Sequence, residues 1–325
     1  MSKIRAPRNR TITLNEDEKV LYAGDLINIK EPVQSDSIGN KVVNQDIFSV
    51  LDFLPEEFVD LIILDPPYNL TKTFNISTFK KMSIEQYAGW FEDLLIKLLP
   101  ILKKTASIYV CSEWYTSTAI HLVLEKFLKV RNRITWEREK GRGAKRNWKN
   151  SAEDIWFATV SDDYVFNVDN VKLKRKVMAP YTDDSGEPKD WEKTSKGQFR
   201  ITHPANLWND ITVPFWSMPE NTDHPTQKPE KLLAKLILAS SNEGDFVFDP
   251  FMGVGSSIVT AKKLSRRFLG VEVEKEFCLL AAKRLHLADI NKSIQGYHDG
   301  IFWERNALGS RLKKINKRHL LRCNY

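Results

Sequence analysis

Cysteine is scarce: Cys111, Cys278 and Cys323 are the only three in 325 residues, far apart and odd in number. That pattern argues against a disulfide framework and a cysteine-rich metal site, and it fits a reducing, cytoplasmic setting. Long apolar runs are missing as well. Nothing approaches the roughly 18 residues a membrane span needs, and the basic first ten residues lead into no apolar stretch. The expectation is a protein neither exported nor embedded. Internal repeats and low-complexity tracts are absent, which argues against solenoids and disordered arrays. The six His are scattered, and the H-x-E with P-C-x-x-C pattern of a zinc deaminase is absent, so no metal is expected in the chemistry.

What is present is ample core material. Hydrophobic residues make up 42% of the chain, nine of them Trp, against 28% charged residues, as in a packed globule. The length suits one large α/β domain with a smaller module inserted or appended. Lys and Arg number 49 against 42 Asp and Glu, a net charge of +7. That balance favours a polyanionic partner, although many ordinary surfaces carry as much.

Along the chain, residues 1–40 read as a polar, partly basic arm. Alternating strand and helix text then runs through residues 41–137. Val59 to Leu64 (Val-Asp-Leu-Ile-Ile-Leu) reads as a buried parallel strand by its apolar run. Ser83 caps an amphipathic helix carrying Tyr87, Trp90, Phe91, Leu94, Leu95 and Leu98, which stops at Pro100. Ser107 to Cys111 is the next strand and Ala119 to Leu128 the next helix. Residues 138–222 change character: six basic residues crowd the first twelve positions, and irregular text with Trp191, Trp208 and Trp216 follows. Regular α/β text returns over residues 223–300. It holds a helix from Glu230 to Ser240, a strand from Phe246 to Asp249, a helix from Ser256 to Leu264 and a strand from Phe268 to Glu272. Residues 301–325 form a basic tail. This order predicts a doubly wound, mostly parallel sheet interrupted by an inserted module, with functional residues at strand ends.

Two constellations carry chemistry. Asp249, Pro250, Phe251, Met252, Gly253, Val254, Gly255 and Ser256 place a G-x-G turn between a strand and a helix, where backbone approaches a ligand closely. Glu272, 19 positions after Gly253, ends the following strand where a ribose hydroxyl is bound. Ile258 stands where a dinucleotide fingerprint has its third glycine, and no G-x-x-x-x-G-K-[ST] loop occurs. A nucleoside without a pyrophosphate therefore fits better than NAD or ATP. The second constellation is Asp65, Pro66, Pro67 and Tyr68 at the end of the strand from Val59. The two prolines withhold N–H donors, leaving the Asp65 carboxylate and the Pro66 carbonyl as acceptors and the Tyr68 ring as a stacking surface. That set suits an exocyclic aromatic amine. Holding both of its hydrogens tilts the nitrogen lone pair towards a methyl donor.

These motifs, with Asp223 to Pro229 (D-H-P-T-Q-K-P) between them, resemble the β-class amino-methyltransferases of DNA. In that family the catalytic motif precedes the cofactor loop, and the resemblance spans Lys41 to Leu285. It implies a Rossmann-like methyltransferase fold with permuted motif order and S-adenosylmethionine as cofactor. The catalytic residues it implies are Asp65, Pro66, Pro67 and Tyr68. Asp46, Asp65, Thr226, Gln227, Lys228, Asp249, Pro250, Phe251, Gly253, Gly255, Ser256 and Glu272 would hold the cofactor. Asp46 would face its adenine, and Thr226, Gln227 and Lys228 its methionine end. The inserted module would read double-stranded DNA, with Arg138, Lys140, Arg142, Lys145, Arg146 and Lys149 on phosphates. A flipped target base, a cognate restriction endonuclease and a homodimer complete the expectation.

Several alternatives stay open. N4-cytosine methylation uses nearly the same pocket, but its family branch more often begins the motif with Ser, so Asp65 favours adenine N6. C5-cytosine chemistry needs a thiolate, usually after proline, and the three cysteines follow Val, Phe and Arg. A non-enzymatic DNA-binding protein on the same fold would show damaged motifs, and these are complete. RNA or protein amines share the catalytic logic, but the motif order and the basic insert favour DNA.

Overall fold

The computed structural model describes residues 6–74, 77–138, 146–177, 181–194 and 197–304. Its centre is a nine-stranded sheet in the order Leu26–Ile27, Lys41–Val43, Arg267–Val271, Phe246–Asp249, Val59–Leu64, Leu102–Ser112, Ala152–Thr159, Lys129–Glu137 and Leu207–Trp208. The first six strands pair in parallel. Ala152–Thr159 then runs antiparallel to both of its neighbours, and Leu207–Trp208 pairs in parallel at the far edge.

Side-chain alternation divides two cores. Ile62 and Leu64 pack on one face with helices Ile84–Leu98 and Ser117–Phe127. Leu61 and Ile63 pack on the other with helices Glu230–Ser240, Ser256–Lys263 and Lys275–Ile290. Strand Val59–Leu64 is thus apolar apart from Asp60, which pairs with Lys103, because both of its faces are covered. Helix Ile84–Leu98 starts where Ser83 and Gln86 cap each other's backbone N–H groups. It buries Tyr87, Phe91, Leu94, Leu95 and Leu98 along one stripe, and Pro100 follows its end.

A second, five-stranded sheet joins Glu192–Thr194, Gly197–Thr202, Leu173–Lys176, Ile301–Trp303 and Tyr297–His298 in that order. Its Leu173 and Phe302 pack with Ala234 and Leu238 of helix Glu230–Ser240. Buried Lys231 and Lys235 of that helix both reach buried Asp210, at 2.7 and 2.8 Å. Burial works against the Asp210 charge, but the two ammonium groups outweigh it and hold its carboxyl below the usual range. Among the described residues no helix is long and apolar enough to cross a membrane.

Three boundaries differ from the sequence reading. The 1–40 arm is not loose throughout: its strand Leu26–Ile27 edges the main sheet, and Ile29 and Ile38 are buried in the core. The insert does not begin at residue 138, because Ala152–Thr159 lies inside the main sheet. The basic tract is therefore the connection of an antiparallel strand pair, whose pairing partner is invisible in local pattern. Nor does a tail begin at residue 301, since Ile301–Trp303 is an inner strand of the second sheet. Between strands Lys41–Val43 and Val59–Leu64 the chain forms two short 3-10 turns, Ile47–Ser49 and Leu51–Phe53.

Candidate active site

Strands Phe246–Asp249 and Val59–Leu64 are parallel neighbours, yet the chain leaves them in opposite directions. From Asp249 it passes through helix Ser256–Lys263 to Arg267–Val271. From Leu64 it passes through helix Ile84–Leu98, on the other face, to Leu102–Ser112. Right-handed crossovers diverging this way open a crevice at the carboxyl ends of the two strands. Asp65, Thr226, Lys228, Asp249, Gly253 and Ser256 line a cleft there.

The loop after Asp249 is held by its own hydrogen bonds. Asp249 is buried, and its carboxylate accepts from Phe251 N at 3.0 Å and from the Ser257 hydroxyl. Burial pushes its carboxyl up to about 7. Gly253 and Gly255 both have positive φ, +52° and +75°. A Cβ on Gly255 would sit 2.7 Å from Ala281 Cβ of helix Lys275–Ile290, so this glycine is required by backbone and packing alike. Glu272 accepts from Gly253 N at 3.0 Å and from Glu274 N at 2.8 Å, and burial raises its carboxyl above the usual range. A carboxylate has about four acceptor sites, so two backbone donors leave room for hydroxyls. Ile258 is fully buried and packs beneath the loop, as expected where no pyrophosphate must be approached. Asp46 is exposed after strand Lys41–Val43, on the same rim as Glu272, and its side chain accepts from Phe48 N at 2.9 Å.

The motif from Asp65 is built differently. Its backbone is braced from below: Tyr87 donates to the Pro67 carbonyl at 3.1 Å, and buried Asn69 bonds both the N–H and the C=O of Met82. Above that brace, Asp65 Oδ2 accepts from Lys228 Nζ at 2.7 Å, whereas Asp65 Oδ1 is buried with no hydrogen bond. Lys228 also donates to the Tyr68 hydroxyl at 3.1 Å and sits 5.3 Å from the centre of that ring. Burial raises the Tyr68 phenol well above its usual range, helped by the nearby Asp65 charge. Burial also works against the Lys228 charge, but Asp65 and Glu153 outweigh it and keep the ammonium protonated.

The three residues of the D-H-P-T-Q-K-P run expected at the methionine end of the cofactor therefore diverge. Gln227 spends its amide within its own loop, accepting from Thr222 N and hydroxyl at 2.9 and 2.7 Å and donating to Glu220 O at 2.7 Å. Lys228 turns to Asp65, and Thr226 is the exposed member. Of the basic tract, Arg146 and Lys149 are exposed, while Arg138 is turned inward onto buried Glu153. Lys140, Arg142 and Lys145 lie outside the described residues. Sequence reasoning missed Glu153, whose carboxylate lies 3.3 Å from Lys228 Nζ. The available signal was a pair of acidic residues, Glu153 and Asp154, directly before the apolar run Ile155 to Ala158.

A family described as DNA methylase matches residues 59–283, well over half of the chain. The DNA adenine methyltransferase YhdJ of Escherichia coli K12 is 31% identical over 268 residues, covering 79% of this chain and 86% of the relative. The type II methyltransferase M.HpaI of Haemophilus parainfluenzae is 31% identical over 248 residues, 75% of this chain and 74% of the relative. Among solved structures, the cytosine-N4-specific PvuII DNA methyltransferase superposes with a TM-score of 0.57 at 15% identity, over 80% of this chain and 88% of the other. The M1.HpyAVI–SAM complex superposes with a TM-score of 0.51 at 24% identity, over 75% and 98%. These two show a shared fold.

Proposed function

The chain belongs to the DNA methylase family, and we propose that its crevice methylates adenine N6 in a short, specific sequence of double-stranded DNA, with S-adenosylmethionine as the methyl donor. The observation that carries this reading is Asp65 Oδ1, a buried carboxylate oxygen without a hydrogen bond on a residue that lines the crevice, with Tyr68 sharing the same Lys228 ammonium. A buried acceptor left open is costly unless a ligand donor fills it.

The cofactor loop fits a nucleoside donor. Gly253 and Gly255 keep the backbone bare of side chains, the Glu272 carboxylate has acceptor capacity left for ribose hydroxyls, and Thr226 and Ser256 line the same cleft as Gly253. Asp46, Asp249, Pro250 and Phe251 complete this assignment on the same rim. Bound there, S-adenosylmethionine supplies a sulfonium methyl electrophilic enough for a neutral amine to attack. The rest is the work of this chain's residues. Asp65 Oδ1 accepts one N–H of the target amine and the Pro66 carbonyl the other, which draws the nitrogen towards tetrahedral geometry and frees its lone pair. Tyr68 stacks on the base, and its raised pKa keeps the phenol neutral. The Asp65 carboxylate is the nearest acceptor for the proton the nitrogen sheds.

Because duplex DNA buries adenine N6 in the helix, the base must leave the stack to reach Asp65, at a cost of a few kcal/mol. Exposed Arg146 and Lys149, in the connection between strands Lys129–Glu137 and Ala152–Thr159, suit phosphate contacts, as Lys140, Arg142 and Lys145 do by residue type. A cognate restriction endonuclease and a homodimer belong to the same reading. Assay of neighbouring genes for cleavage blocked by this methylation, and sedimentation with DNA, test them.

The decisive experiment is expression in a methylation-free bacterial host, with modified bases mapped by single-molecule sequencing and Asp65→Ala as control. N6-methyladenine in one short motif is the expected result. N4-methylcytosine would overturn the base assignment, and unmodified DNA the reaction.

A further inference from the structure

Lys228 stands where the proposed reaction needs an amine. Its Nζ donates to Asp65 Oδ2 at 2.7 Å and to the Tyr68 hydroxyl at 3.1 Å, and it lies 5.3 Å from the Tyr68 ring centre. The target base is assigned to the same two side chains, taking Asp65 Oδ1 and the Tyr68 ring face while the ammonium holds Oδ2 and the hydroxyl. A base entering the crevice therefore competes with a resident ammonium for the same carboxylate.

The displaced ammonium cannot simply be abandoned. The Lys228 side chain is only 9% exposed, and a buried charge without a partner is strongly disfavoured. Glu153 supplies the second partner. It is the second residue of strand Ala152–Thr159, opposite Trp136 in register, and its side chain is 4% exposed. One oxygen, Oε1, is fastened to Arg138, which fixes the carboxylate in place. The other, Oε2, is buried, lies 3.3 Å from Lys228 Nζ and receives no hydrogen bond. A short rotation about the lysine stem would complete that bond as it breaks the one to Asp65.

We propose that Glu153 is a positioning residue that takes over the Lys228 ammonium when the target amine engages Asp65. In the base-free protein Lys228 neutralises Asp65 and guards the cradle. In the loaded protein it pairs with Glu153 Oε2, leaving both Asp65 oxygens free to accept. The charge count is the same in each state, two cations (Arg138 and Lys228) against two carboxylates (Glu153 and Asp65), while the direct pairing of Lys228 moves from Asp65 to Glu153. This inference rests on the amine-transfer reading above and names a device within the same site.

The test is a double-mutant cycle on duplex DNA carrying the mapped recognition sequence, with 2-aminopurine at the target position. Its fluorescence reports extrahelical capture, and the KM for DNA is measured in parallel. Glu153→Gln keeps the shape but weakens the receiver, so capture should fall and KM rise about tenfold. In a Lys228→Met background the same change should alter either by less than about twofold, because no ammonium is left to receive. Equal penalties in both backgrounds would overturn the proposal, since Glu153 would then act through the fold alone. No penalty in either would overturn it too. If Glu153→Gln fails to bind cofactor, Lys228→Met decides alone: it should capture the base at least as well as the unsubstituted protein, and loss of capture would overturn the proposal. If the unsubstituted protein itself captures no base, the amine-transfer reading fails, not the role of Glu153.

Discussion

The two halves of the crevice differ in how their polar groups are used. In the cofactor loop the Asp249 carboxylate accepts from Phe251 N and the Ser257 hydroxyl, and each Glu272 oxygen accepts a backbone N–H. At the Asp65 motif, one oxygen of Asp65 and one of Glu153 are buried without a hydrogen bond. The first half holds its shape before any ligand arrives. The second holds acceptor capacity in reserve, with a lysine as temporary occupant. The contrast fits a site whose cofactor surface is preorganised and whose base surface must exchange partners during each turnover.

The sharpest way to break this comparison is at Asp65. Asp65→Ala removes the open acceptor but no brace of the loop, so methyl transfer should fall by about a thousandfold while cofactor affinity changes by only a few-fold. Methyl-transfer rates and calorimetric titration with S-adenosylmethionine check it. Parallel losses of both would show that the halves are not separable. The loop responds in the opposite way. Gly255→Ala forces a side chain into a left-handed backbone and against Ala281, and should lower stability by about 2 kcal/mol in urea unfolding, with cofactor binding weakened as well.

A third prediction uses pH. The Asp249 carboxyl is raised to about 7 by burial and the Glu220 carboxyl likewise to about 7, by burial and then by the adjacent Glu230 charge. The folded protein therefore holds protons that the unfolded chain has released. Stability from these groups is fully present below about pH 4 and is lost as pH rises through about 7. Each contributes a slope of up to about 1.4 kcal/mol per pH unit. Urea midpoints measured from pH 5 to pH 8 should fall, and Asp249→Asn should flatten the fall. An unchanged slope would mean that Asp249 is ionised in the fold and the loop less dry than its burial implies. The smallest effect concerns the outer charges. Replacing exposed Arg146 and Lys149 with Ala should reduce the slope of log affinity against log salt by roughly 2, without changing the sequence methylated. A preserved slope would return them to the ordinary solvated surface.

Where local pattern and tertiary environment agree, the text was legible. Val59–Leu64, Glu230–Ser240 and Phe246–Asp249 lie at the boundaries their residues suggest, because each is enclosed on every side and bordered by turn residues. Ser83 and Gln86 announce their helix because a capping box is a local device. Strand Ala152–Thr159 was hidden because its two partners lie elsewhere in the chain and its sequence neighbours are a charged connection. Gln227 and Lys228 sit in one short run yet do unrelated things: one ties its own loop, the other crosses to Asp65, 163 positions away. Spacing cannot distinguish those outcomes.

The amino-acid sequence alone determined the alternation of strands and helices, the order of the two motifs and the residue types at the crevice, because capping, turn chemistry and apolar periodicity act over a few residues. The tertiary structure decided the rest: which strands became neighbours, that two chain directions diverge between Asp249 and Leu64, and that Arg138, Glu153, Lys228 and Asp65 form one line of alternating charge. Burial sets the strength of those charges, and burial depends on the packing of the whole chain rather than on any segment of it.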